Sequence, residues 1–222
     1  MKIYLIRHSM TAGNLEKRYI GKTDEPLCDA GIKLLTERHY PEAERVYVSP
    51  LKRCIQTAEI IYPQTELRVI KELAECDFGI FENRNYLELE NCPEYQEWID
   101  SGGTLPFPGG ESREGFQKRT LLGFRKVLKE CRDEKIRTAA LVVHGGTIMS
   151  IMEQYAVPSG GYYDYQIKNG EGYELVLADV CPGDSRVCTG SAPGRSGVAV
   201  SPGAAHRTFD HKDGKNYKKI HF

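Results

Sequence analysis

The 222-residue chain has no apolar run near the roughly 18–20 residues that a membrane-spanning helix needs, so no membrane partner is expected. It has no surplus of either charge: 30 Lys and Arg stand against 31 Asp and Glu, a formal net charge of -1. There is then no global basic field for nucleic acid, and any anion site must be local. It has no C-x-x-C pair. Its seven cysteines, at 28, 54, 76, 92, 131, 181 and 188, are scattered and odd in number. That argues against a zinc site or redox motif, and for reduced, mostly buried thiols in a cytoplasmic protein. The opening residues "MKIYLIRH" hold one lysine and too short an apolar run for a secretory signal. No internal repeat is found.

What is present is the composition of a soluble globular protein, 40% apolar and 27% charged, long enough for one sizeable core. Lys2–Ile6 reads as a buried strand, residues 8–27 as loop, and Asp29 as the cap of a helix running to about His39. "RVYVSP" (45–50) is a second strand, Leu51–Tyr62 a helix and Leu67–Ile70 a third strand. Residues 77–112 are an irregular, lid-like insertion with a short helix around Glu94–Ser101. Phe116, Thr120, Phe124, Val127 and Cys131 recur at helical spacing, giving a long amphipathic helix over 112–131. "TAALVVHGG" (138–146) is a central strand meeting a tight turn, followed by a helix over Thr147–Tyr155. "GYELVLADV" is a late strand and "KNYKKIHF" a returning edge strand.

Alternating strands and helices imply one α/β domain over 1–222, a three-layer α/β/α sandwich with a mainly parallel sheet. Residues 181–215 are Gly-, Ser- and Pro-rich and read as a surface loop or flexible segment. His206, Asp210 and His211 fall there and read as exposed loop residues ahead of a metal site.

Strand ends carry the chemistry. "YLIRH" delivers Arg7 and His8, and "LVVH" delivers His144 ahead of Gly145 and Gly146. In open parallel sheets, ligands bind outside the carboxyl ends of strands. "VYV" runs into "SPLKRCIQTA", which places Arg53 in the first turn of the next helix, where backbone N–H groups also point at an anion. Two histidines, two arginines and a helix end can converge on a compact dianion, with phosphate the natural candidate. Each residue taken alone reads as a solvated or structural one; only the combination, repeated at three strand ends, points to an anion site, and spacing leaves both readings open.

The motifs resemble those of the histidine phosphatase superfamily, the phosphoglycerate mutase-like family. "RHSMTAGN" matches its Arg-His-Gly-x-[Ser/Thr] signature through Arg7, His8, Thr11 and Asn14, with Ser9 in place of the glycine. "RYIGKTDEPLCDAG" resembles the loop that follows and includes Gly21. "SPLKRCIQTA" matches the Ser-x-x-x-Arg-x-x-x-Thr-Ala block, "ELAECDFGIFE" the L-x-E-x-x-x-G-x-x-E block, and "VVHGG" the second catalytic histidine. The match covers about residues 2–155.

The resemblance implies a metal-free, cofactor-free site. His8 is the nucleophile that becomes phosphohistidine. Arg7, Arg53 and His144 hold the phosphoryl oxygens, and Asn14, Gly21 and Gly145 line the substrate. Glu75 is the acid for the leaving group, with Glu72 and Asp77 as neighbouring competitors. Ser9 either strains a glycine position or adds a hydroxyl hydrogen bond at the pocket edge, and the second is expected. The interval from Glu75 to His144 is short for a phosphoglycerate mutase, which favours a phosphomonoesterase on a small phosphate ester. "CPEYQEWIDSGGTLPFPGGES" resembles the same stretch of α-ribazole phosphatases, with Phe81 and Asn83 replacing their tryptophan and glycine. A mutase-type phosphoryl transferase and a catalytically silent binding module remain the alternatives, and the protein is expected to be a monomer or homodimer.

Overall fold

The computed structural model describes residues 1–178 and 214–222. The Gly/Ser/Pro-rich stretch from 181 through 213, with Cys181, Cys188, His206, Asp210 and His211, lies outside the described residues. Six strands form one sheet: β1 (Lys2–Arg7), β2 (Arg45–Val48), β3 (Leu67–Val69), β4 (Thr138–Val143), β5 (Gly172–Val176) and β6 (Tyr217–Ile220). Their order is β3-β2-β4-β1-β5-β6. β3, β2, β4 and β1 run parallel, β5 is antiparallel to β1, and β6 is antiparallel to β5. β1 and β4 are central and buried on both faces, which is why their sequences are continuous apolar runs and do not alternate.

Alternate residues of these strands feed two cores. Tyr4, Ile6, Val46 and Val48 pack with Cys54 and Ala58 of α3 (Lys52–Ile61). Ile3, Leu5, Leu141 and Val143 pack on the other face with Phe124 and Val127 of α5 (Arg113–Asp133) and Ile148 and Ile151 of α6 (Gly145–Tyr155). The result is an α/β/α sandwich. No helix among the described residues is long and apolar enough to cross a membrane. The five cysteines among the described residues are free thiols; Cys54, Cys76 and Cys131 are buried, and Cys28 and Cys92 are partly exposed.

Two local expectations need correction. The stretch 8–27 contains a short helix, α1 (Ala12–Leu15), closed by reciprocal caps: Thr11 Oγ1 accepts the Asn14 N–H at 3.2 Å, and Asn14 Oδ1 accepts the Thr11 N–H at 3.3 Å. The next helix, α2, covers Asp29–Thr36 and stops short of His39. Cys28 is its cap residue, and Asp29 sits in the first turn, where a negative charge favours the helix dipole. Arg38 and Tyr40 then both donate to the Gly170 carbonyl at 3.0 Å, which draws the chain off the helical path.

In the irregular stretch after β3, α4 (Pro93–Asp100) carries Tyr95 and Trp98 onto Phe81, which is fully buried. Asn83, at the subgroup's glycine position, has φ +56°, a left-handed conformation that asparagine tolerates better than most residues.

Candidate active site

Strand register brings the site together. Arg7 lies opposite Val143, and Val48 lies opposite Val142. The three strands therefore end flush, with Arg7-His8, Ser49 and His144 side by side. The His8 N–H continues the ladder to the Val143 carbonyl at 2.9 Å.

His8 is 4% exposed, and its Nδ1 lies 2.7 Å from the Ser9 carbonyl. A carbonyl only accepts, so Nδ1 carries the proton and Nε2 keeps its lone pair. Burial, followed by the nearby Arg53 and Arg7 charges, holds the imidazole well below its usual pKa. The ring is thus a neutral base in one tautomer. His144 is fully buried, its ring centroid 5.2 Å from that of His8, with Nε2 at 2.6 Å from Ser49 Oγ. Burial, and then Arg53, keep it neutral too.

Carbonyl oxygens, not carboxylates, hold both arginines. Arg53, fully buried, donates through Nη1 to Thr23 (2.7 Å) and through Nη2 to Gly21 (2.8 Å) and Ile20 (3.3 Å). Arg7 donates through Nη1 to Ile167 at 2.6 Å. The Nε of each is buried without a partner. Two such cations close together call for a compact anion.

Glu75 accepts the Cys76 N–H at 3.0 Å and the Gly146 N–H at 3.4 Å. Burial pushes its carboxyl above the usual carboxylate range, against the opposing pull of these N–H groups and of Arg53 and Arg7. The competing carboxylates are engaged elsewhere: Glu72 pairs with Lys126, and Asp77 with Lys22 at 2.9 Å. The close approach at the second histidine turn falls on Gly146, not Gly145. A Cβ on Gly146 would lie 2.6 Å from Glu75 Oε1, whereas one on Gly145 would meet Arg7 Nε at an ordinary 3.5 Å.

Gly21 serves Arg53 directly. Its carbonyl accepts from that guanidinium and its N–H donates to Glu82 at 3.2 Å. Asn14 Oδ1 accepts from Thr11 and, at 3.1 Å, from Asn169, whose amide also reaches the His8 carbonyl at 3.1 Å. Ser9 departs from the expected pocket-edge bond. Its φ is not positive, and its fully buried hydroxyl donates to the Gly31 carbonyl of α2 at 2.7 Å.

Two further residues shape the site without a signal of their own in the sequence. Glu82 accepts the Gly21 and Lys22 N–H groups (3.2 and 2.7 Å) and the Thr23 hydroxyl (2.8 Å), fixing the loop whose carbonyls hold Arg53. Thr57 accepts the Ser9 N–H at 3.0 Å and donates to the Arg53 carbonyl at 2.7 Å, joining the two motifs. Both stood in the matched blocks, as the final Glu and the Thr, and that was their only signal.

A cavity of about 200 Å³ opens beside Glu75 and Gly146. Tyr19, Phe78, Trp98, Phe107 and Phe116 line it, and Arg113 stacks its guanidinium 4.2 Å from the centre of the Tyr162 ring.

The sandwich places a cationic, phosphate-type anion pocket at its strand ends, and the family match and the phosphatase relatives make the protein a phosphatase-type hydrolase. The chain belongs to the histidine phosphatase superfamily (branch 1), whose family model matches residues 3–182. It is 27% identical over 180 residues to the adenosylcobalamin/α-ribazole phosphatase of Escherichia coli K12, covering 77% of this chain and 87% of that one. It is 32% identical over 151 residues to phosphoserine phosphatase 1 of Hydrogenobacter thermophilus, covering 64% and 70%. The crystal structure of the α-ribazole phosphatase from Shigella flexneri superposes with a TM-score of 0.67 at 23% identity, over 81% of this chain and 92% of that one, a likeness of fold.

Proposed function

We propose that the protein is a metal-independent phosphomonoesterase working through a phosphohistidine on His8. His8 carries this reading: a buried, neutral imidazole whose Nδ1–H is committed to the Ser9 carbonyl, which leaves Nε2 with its lone pair for attack on phosphorus. Nε2 attacks phosphorus, the P–O ester bond breaks, and Glu75 gives its proton to the leaving alkoxide. Water then attacks the phosphohistidine, its proton passes to the Glu75 carboxylate, the P–N bond breaks and inorganic phosphate leaves. Arg7 and Arg53 supply beside the phosphoryl group the positive charge that a metal ion supplies in other phosphoryl-transfer enzymes, and the neutral His144 lies next to it.

The aromatic cavity beside Glu75 takes the leaving group. Flat apolar rings suit a planar heteroaromatic group, and the Arg113 guanidinium in the same wall adds a cation that can lie over such a ring. This supports α-ribazole 5′-phosphate as substrate, with a role in cobalamin biosynthesis; a cytoplasmic monomer or homodimer is proposed with it. A steady-state screen in EDTA across α-ribazole 5′-phosphate, phosphoserine and 3-phosphoglycerate tests it. The highest kcat/KM is expected on α-ribazole 5′-phosphate. A higher value on phosphoserine overturns the substrate, and mutase turnover of 3-phosphoglycerate overturns the reaction class.

A further inference from the structure

Glu75 stands on backbone that no helix or strand supports. A single 3₁₀ turn covers Lys71–Leu73, and residues 74–78 have no regular structure. Main-chain groups of this segment end instead on one ion pair. Arg119 donates through Nη1 to the Glu72 and Ala74 carbonyls, each at 3.0 Å, and through Nη2 to the Glu75 carbonyl at 3.3 Å. Its Nε and Nη2 also grip the two oxygens of Glu111, at 3.0 and 2.7 Å. Glu111 in turn accepts the Asp77 N–H at 3.0 Å and gives its own N–H to the Asp77 carbonyl at 2.9 Å. Arg119 is anchored on α5, whose buried face is part of the main core, and Ser112 caps that helix through the Gly115 N–H at 3.0 Å.

We propose that Arg119 and Glu111 are positioning residues for Glu75, setting where the leaving-group proton is delivered. Neither side chain lines the cavity, and neither bonds the Glu75 carboxyl. Arg119 is paired with Glu111, so its charge is largely balanced and its hold is on main chain. The pair is bidentate, the geometry that fixes a guanidinium in both distance and plane. A bound acid displaced by about 1 Å loses on the order of a hundredfold in rate. The same segment closes against Gly146, so a shift of Glu75 also removes it from the turn that carries His144.

This rests on Glu75 being the leaving-group acid, and the test separates the two. The kcat and KM of wild type, Glu75→Gln, Arg119→Ala, Arg119→Lys, Glu111→Gln and the Arg119→Ala/Glu75→Gln double variant are measured on p-nitrophenyl phosphate and on an alkyl monophosphate, β-glycerol phosphate. The nitrophenolate leaves without a proton and the alkoxide does not. Arg119→Ala should lose about a hundredfold in kcat/KM, which reports the steps through departure of the leaving group, on the alkyl ester and less than about fivefold on the aryl ester; kcat falls on both esters where Glu75 must take the proton of the attacking water. Arg119→Lys should recover part of the alkyl activity, Glu111→Gln should lose in the same selective way, and the double variant should be no slower than Glu75→Gln alone. Equal loss of kcat/KM on both esters in Arg119→Ala, or additive losses in the double variant, overturns the positioning role. Glu75→Gln losing kcat/KM equally on both esters overturns the acid role itself. Should Arg119→Ala fail to fold, Glu111→Gln, nearly isosteric, decides by the same selectivity.

Discussion

The imidazoles of His8 and His144 meet edge to face, their centroids 5.2 Å apart and their planes at 66°. Two rings this close beside two arginines cannot both be charged. Both are held well below the ordinary value of 6.5, chiefly by burial. The unfolded chain therefore binds more protons than the folded one as pH drops below about 6.5, and stability falls there. Glu75, raised above 4.5, acts with the opposite sign: the folded state holds its proton longer, and that contribution fades as pH rises through its raised value. Two groups against one make net destabilisation the expected outcome on the acid side. Thermal unfolding from pH 7.5 to 5 should show Tm falling, and His8→Gln should flatten the fall. An unchanged slope in the variant would remove His8 from this balance.

Glu82 holds the 20–23 loop that seats Arg53, and its Oε1 also accepts the Phe78 N–H at 3.5 Å. Glu82→Gln keeps the shape but weakens charge-assisted hydrogen bonds worth about 1.5–3 kcal/mol each. Phosphate inhibition and KM should both worsen by about tenfold or more, equally for aryl and alkyl esters. A loss confined to alkyl esters would place Glu82 on the acid side of the site.

Ser9 ties the nucleophile loop to α2, and Gly31 must be glycine to allow it, since a Cβ there would sit 2.2 Å from the Met10 carbonyl. Restoring glycine at position 9 removes that bond and frees the unfolded backbone. Ser9→Gly should lose about 1–2 kcal/mol in urea unfolding and gain no activity. A tenfold gain in kcat/KM would mean that the hydroxyl obstructs the site.

Much of this was legible in advance. Strand ends are short-range features: the apolar runs before Arg7-His8 and before His144 set where the sheet stops, and a parallel register does the rest. Glu75 was separable from Glu72 and Asp77 by its motif position, and their partners Lys126 and Lys22 show why. The illegible part is long-range. Glu82, 61 residues from the Gly21 N–H it accepts, has no local periodicity to mark it. Glu111 reads as the start of a helix until Arg119 folds back onto it. Ser9 was read for what a hydroxyl could offer a ligand, and no pattern in the chain announces that α2 passes beside it. Gly145 and Gly146 are indistinguishable until Glu75 closes over one of them.

The central claim is a covalent phosphoryl group on one nitrogen of one histidine. It is tested by mixing the enzyme with α-ribazole 5′-phosphate or p-nitrophenyl phosphate in EDTA and quenching in alkali within the first turnover. The adduct is then mapped by mass spectrometry and by ³¹P NMR of the phosphopeptide. The account predicts phosphohistidine on His8, bonded through Nε2, formed in the chelator and absent in His8→Ala, whose turnover falls by at least about a thousandfold. Full turnover without a phosphoenzyme, or a phosphoryl group on any other residue, would contradict it.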